Sequence, residues 1–319
     1  MQFSKSEYLK AYEYLYFGRA LELKTEEMVA TGKLPGFHHL ALGEEAVLAG
    51  VATELGPNDW IQPHFRANPL SAKVLGPRVF AAELVNRVDG TSGGMGGAAH
   101  LFSFEKKLGP GVGFLGQMQC LATGIALCYK LDKIDGCVVI GAGDSSMNEG
   151  AISEVLNMIA AWKLPVAWYI ENNGWGMSTS IHDVTALTDM ADRAKGFGLP
   201  CTCNDGNDVL LVKEVMREAI QKARKGEPSI NEFKITRWRG HFIGDPVVYR
   251  DPSEVEEGIK NDPLPKNRKF LLDSKIVTEE ELKKIEKEQE AVVIDAFEYA
   301  LASKEKDPAY VRDLGKVFA

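Results

Sequence analysis

The chain has 319 residues, 45% of them apolar and 26% charged, with a formal net charge of −8. This composition suits a globular protein with one large core or two modest ones, and its acidity argues against non-specific nucleic-acid binding. No apolar run is long enough for a membrane span, and residues 1–10 lack the apolar core of a secretory signal, so no membrane is expected as a partner and a reducing, cytoplasmic setting is.

Along the chain, Ser4 and Glu7 are spaced as a capping box. Leu9, Tyr12, Leu15, Tyr16 and Leu23 follow at roughly helical spacing and predict a long first helix, closed by Pro35-Gly36. An alanine-rich helix is predicted from about 43 to 55. Glycine then dominates, in GTSGGMGGAAHLF (90–102) and GPGVGFLGQ (109–117). Such density without a repeat predicts backbone that approaches something closely. Next come a helix at 121–129, a strand at 137–143, a helix at 148–162, a strand at 166–173, a helix at 209–225 and a strand at 230–237. Alternation of this kind with continuously apolar strands predicts an α/β fold, a parallel sheet with helices on both faces.

Asn231 fits a buried strand poorly and reads as facing an edge or a partner. Beyond Asp251 the chain turns charged, and Thr278 with Glu281 forms a second capping box that opens an amphipathic helix to about Ala302. The reading is one α/β domain over residues 1–265, with a helical arm at each end and the C-terminal arm spanning 266–319. The five cysteines are an odd set without zinc spacing and read as buried free thiols.

Asp144 follows one predicted strand and Asn172-Asn173 end the next. At the carboxyl edge of an open parallel sheet, where ligands bind, a carboxylate and an amide oxygen make hard ligands for Mg²⁺. Gly143 is read as letting the chain turn so that the next helix aims free N–H groups at a diphosphate. Each half alone is also ordinary turn chemistry. It is the pair, at adjacent strand ends, that points to a site.

Gly143-Asp144 and then Asn172-Asn173 resemble the thiamin-diphosphate motif, and the surroundings resemble the alpha subunits of thiamin-dependent dehydrogenases for 2-oxo acids and acetoin. The similarity covers nearly the whole chain. It includes GFHHLALGEEA (36–46), HFRAN (64–68), GGMGGAAHLF (93–102), GFLGQ (113–117), NEG, WKLPV, ENNGWGMSTS and RGHFIGDPVVYR (239–250). The resemblance implies the thiamin-diphosphate-binding fold and Mg²⁺ ligands at Asp144, Asn173 and the carbonyl of Trp175. It puts Arg66 on the diphosphate, Gly113 and Leu115 beside the cofactor's rings, His241 near the diphosphate and reacting centre, and His39 on the substrate side. The motif also brings Gly143, Ser145 and Phe65 to the cofactor. Ser145 replaces a glycine of the motif, and Phe65 stands where a tyrosine often contacts phosphate, so that hydroxyl contact is expected to be missing. Phe242 and Gly244 replace serines that are phosphorylated in mitochondrial pyruvate dehydrogenase, so that control is not expected.

The activity implied is cleavage of acetoin, or decarboxylation of a 2-oxo acid such as pyruvate, with the acyl fragment passed to a lipoyl-bearing acyltransferase. GHFIGD looks closer to the acetoin enzymes. The glutamate that activates the cofactor resembles a contribution of a beta chain. An obligate partner is thus implied, as two alpha and two beta chains, with the isolated chain inactive. Without ligand spacing, His38, His64, His100 and His182 read as structural or exposed. Two rival readings stay open: a nicotinamide dehydrogenase using Gly141, Gly143 and Glu171, and a non-catalytic assembly subunit.

Overall fold

A computed structural model describes residues 3–111 and 113–312; the end of the expected C-terminal arm, 313–319, lies outside the described residues. The first capping box forms, with Ser4 N donating to Glu7 Oε2 at 2.8 Å and Glu7 N donating to Ser4 Oγ at 3.4 Å. It opens α1 (Lys5–Ala30). Then follow α2 (Glu45–Glu54), β1 (Trp60–Gln62), α3 (Asn68–Leu75), α4 (Pro77–Leu84), α5 (Gln117–Leu131), β2 (Val138–Gly143), α6 (Gly150–Trp162) and β3 (Val166–Asn172). A small hairpin, β4 (Trp175–Gly176) and β5 (Thr179–Ser180), leads to β6 (Cys201–Asp205), α7 (Val209–Ala223) and β7 (Ser229–Lys234). The chain closes with α8 (Pro252–Lys260), α9 (Pro263–Asp273), α10 (Glu279–Ala302) and α11 (Pro308–Arg312).

The five-stranded sheet is parallel throughout, in the order β1-β2-β3-β7-β6. Side chains of a strand alternate between faces, and both faces are covered. Val139, Ala167, Tyr169 and Phe233 join a core built with α1, α2 and α7, whereas Val138, Ile140, Trp168 and Ile170 join one built with α5 and α6. The expected α/β architecture is therefore present.

Several local expectations differ. β1 and β6 were not foreseen: β1 is three residues long, and β6 (CTCND) is a half-exposed polar edge strand. The strand predicted to run to Arg237 leaves the sheet after Lys234, which carries Arg237 towards the strand ends. Gly143 has no left-handed φ, and a Cβ there would meet nothing within 4 Å, so it keeps space open rather than making a turn. A 3-10 turn, Ser145–Asn148, separates β2 from α6. Asn231 is not at an edge. It lies buried on β7 between β3 and β6, donating to Trp168 O and Ser229 Oγ and accepting from Thr202 Oγ1, each at 3.2 Å. The five cysteines are free, but only Cys137 is buried; Cys128 and Cys203 are exposed.

The helix after the second capping box folds back onto the body. Tyr12 and Tyr16 of α1 donate to Glu286 and Glu290 of α10, each at 2.6 Å, and Val293, Ala296 and Phe297 enter the main core.

Candidate active site

A cavity of about 780 Å³ opens at the carboxyl edge of the sheet. Its walls are the segments after β1 (63–66), β2 (143–146), β3 (171–177) and β7 (Arg237, His241), with His39, Glu44 and residues 113–115. Arg66, Phe65, Gly113, Leu115, Gly143, Asp144, Ser145, Asn173, Trp175, His39 and His241 all border this one cavity. Residues spread over some two hundred positions converge because parallel strands deliver their following loops to the same edge.

The two asparagines diverge. Asn172 turns into the protein: its Nδ2 donates to Glu232 Oε1 at 2.6 Å and its Oδ1 accepts from Gly174 N at 3.0 Å. Asn173 faces the cavity, with Nδ2 donating to Glu44 Oε1 at 3.1 Å and Oδ1 accepting from Trp175 N at 3.0 Å. Asp144 is buried, and its Oδ2 has no hydrogen-bond partner among the described residues. Burial pushes its carboxyl up to about 6, against the lowering effect of the Ser145 backbone. An orphaned, desolvated oxygen that shares a cavity with an oriented amide is what a hard cation would satisfy.

Arg66 is buried and already committed on one side, with Nη1 donating to Leu40 O at 2.9 Å and Nη2 to His241 O at 3.0 Å. Its Nε lies 3.7 Å from Glu44 Oε2. Burial pushes the Glu44 carboxyl up to about 7 and that of Glu171 up to about 8, and Arg66 opposes both shifts. His64 Nε2 is 2.7 Å from Glu171 Oε2. Burial drives His64 down to about 4, so both partners of this contact are pushed away from their charged forms.

His39 and His241 stack edge-on, ring centroids 4.6 Å apart, and His39 Nδ1 lies 2.6 Å from His241 O. Burial, and then the Arg66 charge, lowers His39 to about 4 and His241 to about 3. Both are thus held neutral at physiological pH. Phe37 packs on Phe242 at 4.4 Å and on His39 at 4.8 Å, giving this side an aromatic wall. The loop is tied down by Asp245, whose Oδ2 accepts from His241 N (2.7 Å) and Tyr249 OH (2.6 Å).

Sequence reasoning missed Glu44, His64, His100 and Arg237, all of which line the cavity. Of the histidines read as structural or exposed, His64 and His100 lie on the cavity wall, whereas His38 is buried with Nε2 2.8 Å from Pro35 O and His182 is exposed. His64 was legible as the neighbour of Phe65-Arg66. Glu44 had no signal beyond its place after Gly43.

The dinucleotide turn is not formed. Ser146 Oγ donates to Gly143 O at 2.6 Å inside the 3-10 turn, so the strand leads into no α-helix N-terminus as that turn requires. Outside the cavity, Asp189, Cys203 and Glu232 cluster among the described residues. Lys234 Nζ already sits 3.2 Å from Asp189 and 2.7 Å from Glu232, in the place a cation would take.

The sequence profile of the dehydrogenase E1 component family matches residues 16–309. The chain is 37% identical to the pyruvate dehydrogenase E1 component subunit alpha of Rhizobium meliloti (strain 1021), over 96% of this chain and 89% of that protein. It is 37% identical to the corresponding Zymomonas mobilis subunit, over 93% of this chain and 84% of that protein. With the chloroplastic alpha-3 subunit of Arabidopsis thaliana the identity is 36%, over 99% of this chain and 75% of that protein. A match across nearly the whole length, on a parallel sheet whose carboxyl edge gathers the motif residues, leaves one conclusion: the chain belongs to the dehydrogenase E1 component family.

Proposed function

We propose that this chain is the alpha subunit of a thiamin-diphosphate-dependent dehydrogenase that decarboxylates pyruvate or a close 2-oxo acid and passes the acyl fragment to a lipoyl-bearing acyltransferase. One observation carries the reading: Arg66, Asp144, Asn173, Trp175, His39 and His241 share one cavity in which Asp144 Oδ2 has no hydrogen-bond partner among the described residues. The residues fit the group. Asp144, the Asn173 side-chain oxygen and the Trp175 carbonyl would hold Mg²⁺, and the spare N–H groups of Arg66 would meet the diphosphate. Gly143 and Ser145 border the diphosphate side. Phe65 offers it no hydroxyl and instead packs on His39 at 4.5 Å.

Gly113 and Leu115 would flank the rings. When bound, thiamin diphosphate supplies the carbanion and electron sink that cleavage beside a carbonyl needs. This chain's own residues bind, orient and handle protons. His39 and His241, kept neutral by burial and by Arg66, would accept and return a proton on the substrate side.

A beta chain completes the site, as two alpha and two beta subunits. Phe37, Phe114, Leu115 and Met177 support this reading, because they rim the cavity yet stand exposed, Phe114 at 78%. The five free cysteines accord with a reducing, cytoplasmic setting.

Acetoin is the second reading, favoured by the Phe37–Phe242 stack, which lays an apolar wall beside His39 and His241. The test is dye reduction by this chain co-expressed with its beta chain, with thiamin diphosphate and Mg²⁺. Pyruvate turnover with matching release of carbon dioxide supports the first reading. Acetoin turnover with release of acetaldehyde supports the second. Turnover of neither, with no cofactor bound, rejects both.

A further inference from the structure

The glycine-rich stretch does approach something closely, and it is a side chain of the same molecule. Glu83, in the last turn of α4, is fully buried. Its Oε2 accepts from Ser92 N (2.8 Å) and Gly94 N (3.0 Å), and its Oε1 from Gly96 N (2.7 Å) and Gly97 N (3.1 Å). Backbone N–H groups arranged in this way form an anion nest of the kind proteins build for phosphate, filled here by an internal carboxylate. The glycines follow from it. Gly94 and Gly97 have φ of +71° and +60°, and a Cβ on Gly90 would lie 2.3 Å from Glu83 Oε2.

From this knot the chain runs straight into the cavity wall. Ala99 and His100 line the cavity. Leu101 O accepts from Gly111 N at 3.1 Å, His100 Nδ1 lies 3.2 Å from Gly111 O, and a Cβ on Gly111 would come within 2.9 Å of Ala99 O. Two residues further on stands Gly113. We infer that Glu83 is a positioning residue for the ring end of the cofactor: its carboxylate fixes the glycine loop, and the loop seats the segment that carries Gly113 and Leu115. The inference rests on the thiamin-diphosphate reading above. Arg66, Asp144 and Asn173 reach the cavity from the strand ends, and the side-chain bonds of Arg66 and Asn173 go to Leu40, His241, Glu44 and Trp175 rather than to this knot.

That separation gives the test. In the chain assembled with its beta partner, Glu83→Gln keeps one acceptor oxygen but turns an NH₂ towards two N–H donors. The 90–101 segment should then exchange its amide hydrogens faster. Affinity for magnesium thiamin diphosphate should fall about tenfold, while that for magnesium diphosphate alone stays within about twofold. Equal loss of both ligands would overturn the proposal, since it would mean general damage to the site. Unchanged thiamin diphosphate affinity despite faster exchange would overturn it too. A wild-type complex that binds diphosphate but gains nothing from the thiamin rings would reject the cofactor reading, and the ring-end role with it. If Glu83→Gln does not assemble, Gly97→Ala strains the knot from its other side and is read in the same way.

Discussion

Asn173 donates its side-chain amide to Glu44, Nδ2 to Oε1 at 3.1 Å, and this contact decides which end of the amide is left for a cation. Held from its nitrogen side, Asn173 would present Oδ1 to a cation, and partners of this kind commonly fix the orientation of a metal ligand. Replacing Glu44 with Ala should lower the affinity for Mg²⁺ at saturating thiamin diphosphate about tenfold. Glu44→Gln, which keeps an acceptor oxygen, should lose less. A magnesium titration of both variants checks the order; equal affinities in wild type and Glu44→Ala would count against it.

Asp144→Asn is nearly isosteric and removes the orphaned carboxylate charge. The fold should survive, and magnesium-dependent binding of thiamin diphosphate should be lost. Trp175 lines the same cavity, so its fluorescence can report the binding. Undiminished, magnesium-dependent quenching in the variant would mean that the metal is held elsewhere.

Gly43 has φ +92°, and a Cβ there would lie 2.2 Å from the Thr236 carbonyl oxygen and 2.6 Å from the Trp238 ring. Both strain and overlap oppose any side chain, so Gly43→Ala should destabilise the chain by about 3 kcal/mol. Calorimetric melting of the variant checks this. A melting temperature equal to wild type would show that the α2 entry relaxes freely.

Glu7 gives acid sensitivity at the first helix. Hydrogen bonds from the Ser4 backbone and hydroxyl, and then from Arg217, hold its carboxyl at about 2 rather than 4.5. The folded state therefore favours the ionised form. Its stabilisation is fully present above pH 4.5 and is lost as the pH falls towards 2. Glu7→Gln keeps the capping box and removes the charge facing the helix N-terminus and Arg217, so it should cost roughly 0.5 kcal/mol at pH 7. The difference from wild type in urea unfolding should shrink through that acid window. A gap that stays constant down to pH 2 would assign the effect to packing.

The sheet, its helices and the convergence of Asp144 and Asn173 were legible because continuous apolar runs such as CVVIG and VAWYI admit few alternatives when helices separate them. β1 and β6 were not, since three residues carry no period and CTCND is polar for an edge. Asn231 was misread because a strand pattern tells burial but not partners: Thr202, Ser229 and Trp168 satisfy it from three strands. Glu44 and Glu83 were invisible for a related reason. A buried carboxylate is written with the same letter as a solvated one, and only the tertiary fold brings Asn173 to the first and the backbone amides of Ser92, Gly94, Gly96 and Gly97 to the second.

The side of Arg66 that faces the protein is fastened to the carbonyls of Leu40 and His241 before any ligand arrives. Its long side chain gives up rotamer freedom when the chain folds, so docking a phosphate against its free N–H groups should not have to freeze it again. If Arg66 holds the diphosphate as proposed, a fork fastened in this way would serve as a ready-made template for the anion. Loosening either carbonyl would then show as slower capture of the ligand, even where every atom that touches the phosphate is unchanged.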